Sequence, residues 1–240
     1  MVRRSLLAFA VVLVGAPAAH AHFILNAPPS LSQQDEFGSP QKSAPCGLSD
    51  TAGVPDQSTP TGVVTTVQSG STLTISIRET IFHPGHYRVA LAQDMASLPA
   101  DPPVTPGSTA CGSTVIDPSP ALPVLADGQL VHTTSPGNRE QTFDVQLPAG
   151  MTCSNCVLQV TQFMSNHALN NPGGCFYHHC ATITIAADAP PLDAGNDPGD
   201  PDDGGGCCGA GASPPLAAGL AALVLAAVNR PRRRRRRRIT

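Results

Sequence analysis

Tryptophan is absent from this chain of 240 residues, tyrosine occurs twice, and aromatic residues make up 4%. A ligand face that stacks flat rings on indoles is therefore excluded. Charge is also scarce, at 13% of residues, and the formal net charge of -3 hides an asymmetry. Within 22–188 the only basic residues are Lys42, Arg78, Arg88 and Arg139, against twelve acidic ones, while the arginines crowd the C-terminal end. An acidic domain of this kind excludes nucleic acid as a partner. Helical periodicity is missing as well. No dozen-residue window carries an apolar stripe at 3.6-residue spacing, which argues against a helical domain.

What is present divides the chain in four. Arg3 and Arg4 precede an apolar run over 6–14 and the small-x-small triplet Ala19-His20-Ala21, the pattern of a secretory signal peptide spanning 1–21. One domain-sized stretch follows, 22–188. Residues 189–206 are a Pro/Gly/Asp-rich run that cannot bury a core and reads as a linker. The end, 207–240, holds Cys207-Cys208, an apolar segment over 216–228 and the unbroken arginines 232–238. Thirteen residues are short of the roughly 20 that span a membrane, though counting from Gly209 gives a marginal length. The arginines would stay on the cytoplasmic side. This end resembles the myxobacterial C-terminal sorting signal, which implies a transient membrane helix and delivery to the cell surface or outer envelope, or secretion.

Inside the domain, apolar residues alternate with period two: Leu73, Ile75 and Ile77; Tyr87, Val89 and Leu91; Phe143, Val145 and Leu147; then the segments 157–164 and 182–186. Pro/Gly-rich stretches such as 99–107 and 117–123 separate them. Short strands with turn-rich connections predict an all-β fold, an antiparallel immunoglobulin- or fibronectin-like β-sandwich with long loops. Cys46, Cys111, Cys153, Cys156, Cys175 and Cys180 lie within it, and an exported domain turns an even number of cysteines into disulfides. Of the 15 pairings that six cysteines allow, we favour Cys46–Cys111, Cys153–Cys175 and Cys156–Cys180; zinc-like spacing at Cys153-Ser154-Asn155-Cys156, completed by Cys175 and Cys180, is the competing reading.

Cleavage after Ala21 makes His22 the first mature residue, so that its α-amine and imidazole can chelate one metal ion. A second histidine would complete a three-nitrogen site suited to copper(II). His83, in the turn set by Pro84-Gly85, is the preferred partner and His86 the alternative. His178 and His179 are candidates for an added ligand or for plain surface residues, and Tyr177 for a site residue or core filling.

His22, the run His83-Pro84-Gly85-His86-Tyr87, Cys153-x-x-Cys156-x-Leu158-Gln159 and Tyr177-x-x-Cys180-Ala181 together resemble the lytic polysaccharide monooxygenases, specifically a bacterial polysaccharide-monooxygenase-like group. Where that group more often has Cys-Ala-Asp-Ile, this chain reads Cys180-Ala181-Thr182-Ile183. The resemblance implies one copper ion held by His22 and His83 in a histidine brace, with Tyr177 in the axial position. It implies that His167, or alternatively Gln162, hydrogen-bonds the oxidant. The implied reaction is oxidation at C1 or C4 of a polysaccharide (chitin, cellulose or another glycan), driven by an external electron donor and peroxide or dioxygen. Two other classes fit the same residues: a non-catalytic copper-binding or copper-delivery protein at the cell surface, and a disulfide-stapled adhesion module without metal.

Overall fold

The computed structural model describes residues 22–187, all within the first of two units, Met1–Ala194. The expected signal peptide, linker and sorting signal lie outside the described residues. So does the whole second unit, Gly195–Thr240.

Ten strands form in chain order: β1 (His22–Ala27), β2 (Val64–Gln68), β3 (Thr72–Ile81), β4 (Gly85–Ala92), β5 (Val104–Thr105), β6 (Ser113–Thr114), β7 (Val124–His132), β8 (Glu140–Gln146), β9 (Cys153–Met164) and β10 (Phe176–Ala186). Among the described residues the only helical element is one 3₁₀ turn at Met95–Ser97, capped by the Asp94 side chain. Nothing among them is long and apolar enough to cross a membrane as a helix. The strands build a three-stranded sheet, β1-β3-β8, and a five-stranded sheet, β2-β10-β9-β4-β7, with β5-β6 as a small ribbon. The expected β-sandwich is thus present. Its pairing is antiparallel except between β2 and β10, which run parallel because β2, lying between β1 and β3 in sequence, crosses to the other sheet.

The period-two pattern fills the space between the sheets. Phe23 and Leu25 of β1 and Leu73, Ile75 and Ile77 of β3 meet Tyr87 and Val89, Leu158 and Val160, and Ile183 and Ile185. Fully burying such a side chain contributes about 1.5–3 kcal/mol each. The outer face of the larger sheet is covered too. Leu31, Leu48 and Leu98, from the long connections, pack on Cys46, Val157 and Cys180, so β9 is buried on both faces from Cys156 to Met164. β7 shows no alternation in sequence for a local reason. Gly128 and Leu130 adopt positive φ, at 67° and 48°, and its pairing with β4 shifts register three times.

The cysteines pair otherwise than expected: Cys46–Cys180, Cys111–Cys175 and Cys153–Cys156, with Cα–Cα distances of 5.0, 5.4 and 6.0 Å. Strand register forbids the expected set. Cys153 lies opposite Ile185, ten positions along β10 from Cys175, a span of roughly 33 Å in an extended strand. Cys156 faces the inter-sheet core, whereas Cys180 faces the loop-covered side. With all six sulfurs in disulfides, the zinc reading fails as well.

Loop length separates these bridges. Chain entropy assigns about 5 kcal/mol to a closure of 134 residues and about 2 kcal/mol to one of 3. Replacing Cys46 and Cys180 by alanine is expected to lower the melting temperature clearly more than replacing Cys153 and Cys156. Equal losses in a thermal-unfolding comparison would contradict this.

Candidate metal centre

One end of the sandwich collects the polar residues. His22 opens β1 opposite Ile81, at the last position of β3. β1 is an edge strand, and side-chain amides cover its open edge. Gln41 accepts from the Phe23 N–H at 3.2 Å, and Gln34 both accepts from the Leu25 N–H, at 2.8 Å, and donates to the Leu25 carbonyl, at 2.9 Å. The Thr80 hydroxyl lies 3.0 Å from the His22 carbonyl and 2.9 Å from that of Phe37.

His83 sits in the turn between β3 and β4. Pro84 binds the far side through its carbonyl, which accepts from the Ser165 N–H at 2.8 Å and the Ser165 hydroxyl at 3.0 Å. Gly85 is obligatory here, since a Cβ would stand 1.8 Å from the Phe163 carbonyl oxygen. The Nδ1 of His83 donates to Asn166 at 2.8 Å, so that Nε2 is the nitrogen with the lone pair.

These elements bring four rings into a continuous series. The rings of His22 and Tyr177 lie 5.4 Å apart, those of Tyr177 and His167 6.4 Å, and those of His167 and His83 4.7 Å. The His167 Nδ1 is bonded to the Ala168 carbonyl. Burial pushes the Tyr177 hydroxyl up to about 12, so it stays protonated at neutral pH. It lies beside the Asn170 side chain without a hydrogen bond of standard geometry.

Gln162 and His86 stand apart. Gln162 is opposite Tyr177 in register but fully buried, and it donates to Glu79 at 2.6 Å. His86 points to the other face of β4, against Phe163 and 3.8 Å from Asp127; burial lowers its pKa. The pair His178-His179 is not on the surface, since both residues are fully buried. His178 turns to the loop-covered side and meets Asp101 at 2.8 Å, while His179 turns inward and donates to the Phe23 carbonyl at 3.0 Å.

Glu79, Asn166, His132 and Phe37, which the sequence analysis does not single out, lie at the same end of the sandwich. Glu79 carried a signal. It occupies the next inward position after Leu73, Ile75 and Ile77, a carboxylate where the pattern demands an apolar side chain. His132 pairs with it at 3.3 Å. Burial pulls the His132 pKa down, but the bonds to Glu79 and to the Leu130 carbonyl outweigh it and the shift is upward.

Imidazoles on rigid elements are donors suited to copper. Among the described residues no three His, Cys, Asp or Glu side chains form a ready-made metal site. A centre on His22 and His83 would therefore need one more donor, for which the His22 nitrogen is the candidate. That nitrogen is an amide in the full chain and becomes an amine on cleavage after Ala21. The residues fit copper on that condition.

Residues 18–183 match the family model described as lytic polysaccharide mono-oxygenase, cellulose-degrading. Two relatives from Thermothelomyces thermophilus, each an AA9 family lytic polysaccharide monooxygenase A, are 30% identical over 136 residues, which is 54% of this chain and 54% of theirs. The chain thus spans about half the length of the curated relatives it matches. A solved structure, the lytic polysaccharide monooxygenase AA15 from Thermobia domestica in the Cu(I) state, superposes with a TM-score of 0.43 at 20% identity, covering 70% of this chain and 100% of that one.

His179 makes the metal-free protein sensitive to acid. Burial, reinforced by His178 and His22, lowers its pKa from 6.5 to about 4 against the opposing bond to Phe23. Between those values the unfolded chain binds a proton that the folded protein excludes. Its contribution is complete above pH 6.5 and is lost as the pH falls towards 4, with a slope of about one proton. Unfolding free energies measured across that range should lose this slope in His179→Gln. An unchanged slope would count against the assignment.

Proposed function

The chain belongs to the lytic polysaccharide mono-oxygenase family, and from that premise we propose that the mature protein, beginning at His22, binds one copper ion and oxidises glycosidic C–H bonds of a polysaccharide. The supporting observation is the unbroken series of ring contacts from His22 through Tyr177 and His167 to His83. Three stretches far apart in sequence, at 22, 83 and 167–177, converge on it.

In this reading the amine and imidazole of His22 and the Nε2 of His83 hold the metal, and Asn166 keeps His83 in the required tautomer. Bound there, copper would supply the one-electron chemistry, fed by an external donor, that side chains lack. Tyr177, with a neutral hydroxyl too buried to ionise, would pack beside the His22 ring that holds the metal. His167, in contact with both Tyr177 and His83, is the better placed hydrogen-bond donor towards the oxidant. Gln162 already donates to Glu79 and is fully buried. The family also supports an exported protein. Release of the 1–21 signal would free the His22 amine, and the 207–240 segment would anchor the protein at the cell surface, at least transiently.

The substrate face offers one ring. Phe37 is the only exposed aromatic residue among those described, at 46%, with its centroid 6.3 Å from that of His22. An Asx turn holds it: Asp35 Oδ1 accepts from the N–H groups of Phe37 and Ser39 at 2.9 and 2.8 Å. Its apolar face can stack on a pyranose ring beside the metal. Phe37→Ala is expected to weaken binding to an insoluble glycan about tenfold, or about 1.4 kcal/mol, while copper affinity is unchanged. A pull-down on cellulose, chitin and xylan with the copper-loaded protein reads this. Unaltered retention on all three would remove Phe37 from the substrate face.

The brace itself is tested at the terminus. Copper(II) affinity of the protein beginning at His22 is expected to exceed that of a form with one extra N-terminal residue by at least about a hundredfold, the loss of one chelating nitrogen. Equal affinities would overturn the brace. Incubating the reduced protein with the same glycans and peroxide then separates enzyme from carrier. Oxidised oligosaccharides support the mono-oxygenase, whereas tight copper retention without product on any glycan assigns a copper-delivery role.

A further inference from the structure

Glu79 is 3% exposed and faces the core of the sandwich. A carboxylate in that position is tolerated only when its charge is answered by directed donors. Three converge on Oε1: the Gln162 amide from β9 at 2.6 Å, the His132 Nε2 from β7 at 3.3 Å and the backbone N–H of His83 at 3.3 Å. The protons on His132 follow from its neighbours. Its Nδ1 lies 2.7 Å from the Leu130 carbonyl, which only accepts, and its Nε2 faces both oxygens of Glu79. Both nitrogens therefore carry hydrogen, and the two residues form an ion pair with side chains 12% and 1% exposed.

The position of this pair matters more than its strength. Glu79 belongs to the three-stranded sheet, directly opposite Phe23, the residue after His22. His132 and Gln162 belong to the five-stranded sheet. His83 lies on the connection between the two. Apolar contacts between sheets are non-directional and tolerate small sliding, whereas a metal site needs its ligands within about half an ångström. We infer that the Glu79–His132 pair is a positioning device for the metal centre, locking the turn that presents His83 to the strand that presents His22. Neither residue touches the metal. The inference rests on the copper reading above, and its test includes an arm that does not.

The processed protein is compared with Glu79→Gln, His132→Gln and the double variant. In the metal-free state, hydrogen exchange of the His83 amide reports the bond to Glu79. It is expected to speed up at least tenfold in each single variant and to return most of the way in the double, which leaves no unanswered charge. Copper(II) affinity is expected to follow the same order, falling at least tenfold in the single variants with altered copper hyperfine splitting in the paramagnetic resonance spectrum. Exchange, affinity and spectrum within twofold of the parent in both single variants would overturn the inference, as would losses that simply add in the double. If the single variants do not fold, the double decides. A folded, copper-binding double supports the pair, and an unfolded one refutes it. Failure of the parent protein to bind copper would remove the copper reading, while amide exchange still reports whether Glu79 holds the His83 turn.

Discussion

A site that takes a chain terminus as ligand demands that the terminus hold still, and chain ends fray by default. Under the proposed function, the architecture at this end of the sandwich would answer that demand. β1 is an edge strand with a ladder to β3 on one side only, yet its other side is not left to solvent. Gln34 and Gln41 supply the missing hydrogen bonds, and His179 reaches across from the facing sheet to the Phe23 carbonyl. Thr80 takes the His22 carbonyl itself. The strand that opens with His22 is thus held from three directions, so that a metal binding there would not have to order it.

The loop side is held by covalent means. His167 and Asn170 lie on the connection between β9 and β10, which is too irregular to be fixed by sheet pairing. Cys111–Cys175 closes it at one end, and the Cys111 N–H donates to the His167 carbonyl at 3.2 Å. Cys46–Cys180 fastens the long connection after β1 onto β10, three residues beyond Tyr177. The bridge thereby clamps the strand that carries the Tyr177 ring. The identity of the Cys180 partner depended on topology that spacing does not contain.

Legibility in the sequence follows the same division between local and non-local physics. β3, β4, β8, β9 and β10 announce themselves because one face of each meets the core and the side chains alternate. β7 does not, since its bulges break the parity on which the reading relies. The ring series was readable as a set of names, His22, His83, His167 and Tyr177, because resemblance carried them. Their contacts required the fold. Phe37 was invisible, as nothing in Glu36-Phe37-Gly38 says that this ring stays outside. Only the Asx turn and the positive φ of Gly38, whose Cβ would fall 2.0 Å from the Phe23 carbonyl oxygen, set it there. His178 and His179 alternate as strand neighbours must, and both are buried because a loop layer covers the outer face of the sheet.

That burial has a thermodynamic consequence. Glu79, Gln162, His22, His83, His132, His167 and His179 make this end of the domain polar inside, and each such group stabilises less than an apolar side chain of equal size. Several polar atoms there, Tyr87 Oη and Gln162 Oε1 among them, have no hydrogen-bond partner. The apolar layer from Ile75 to Ile185 and the two long-range disulfides must offset that deficit. Sites that hold reactive groups commonly violate the packing rules that the rest of a domain obeys. Here the violation is confined to one end of the strands, so the loops that contact a ligand there can change without disturbing the alternating core that holds the two sheets together.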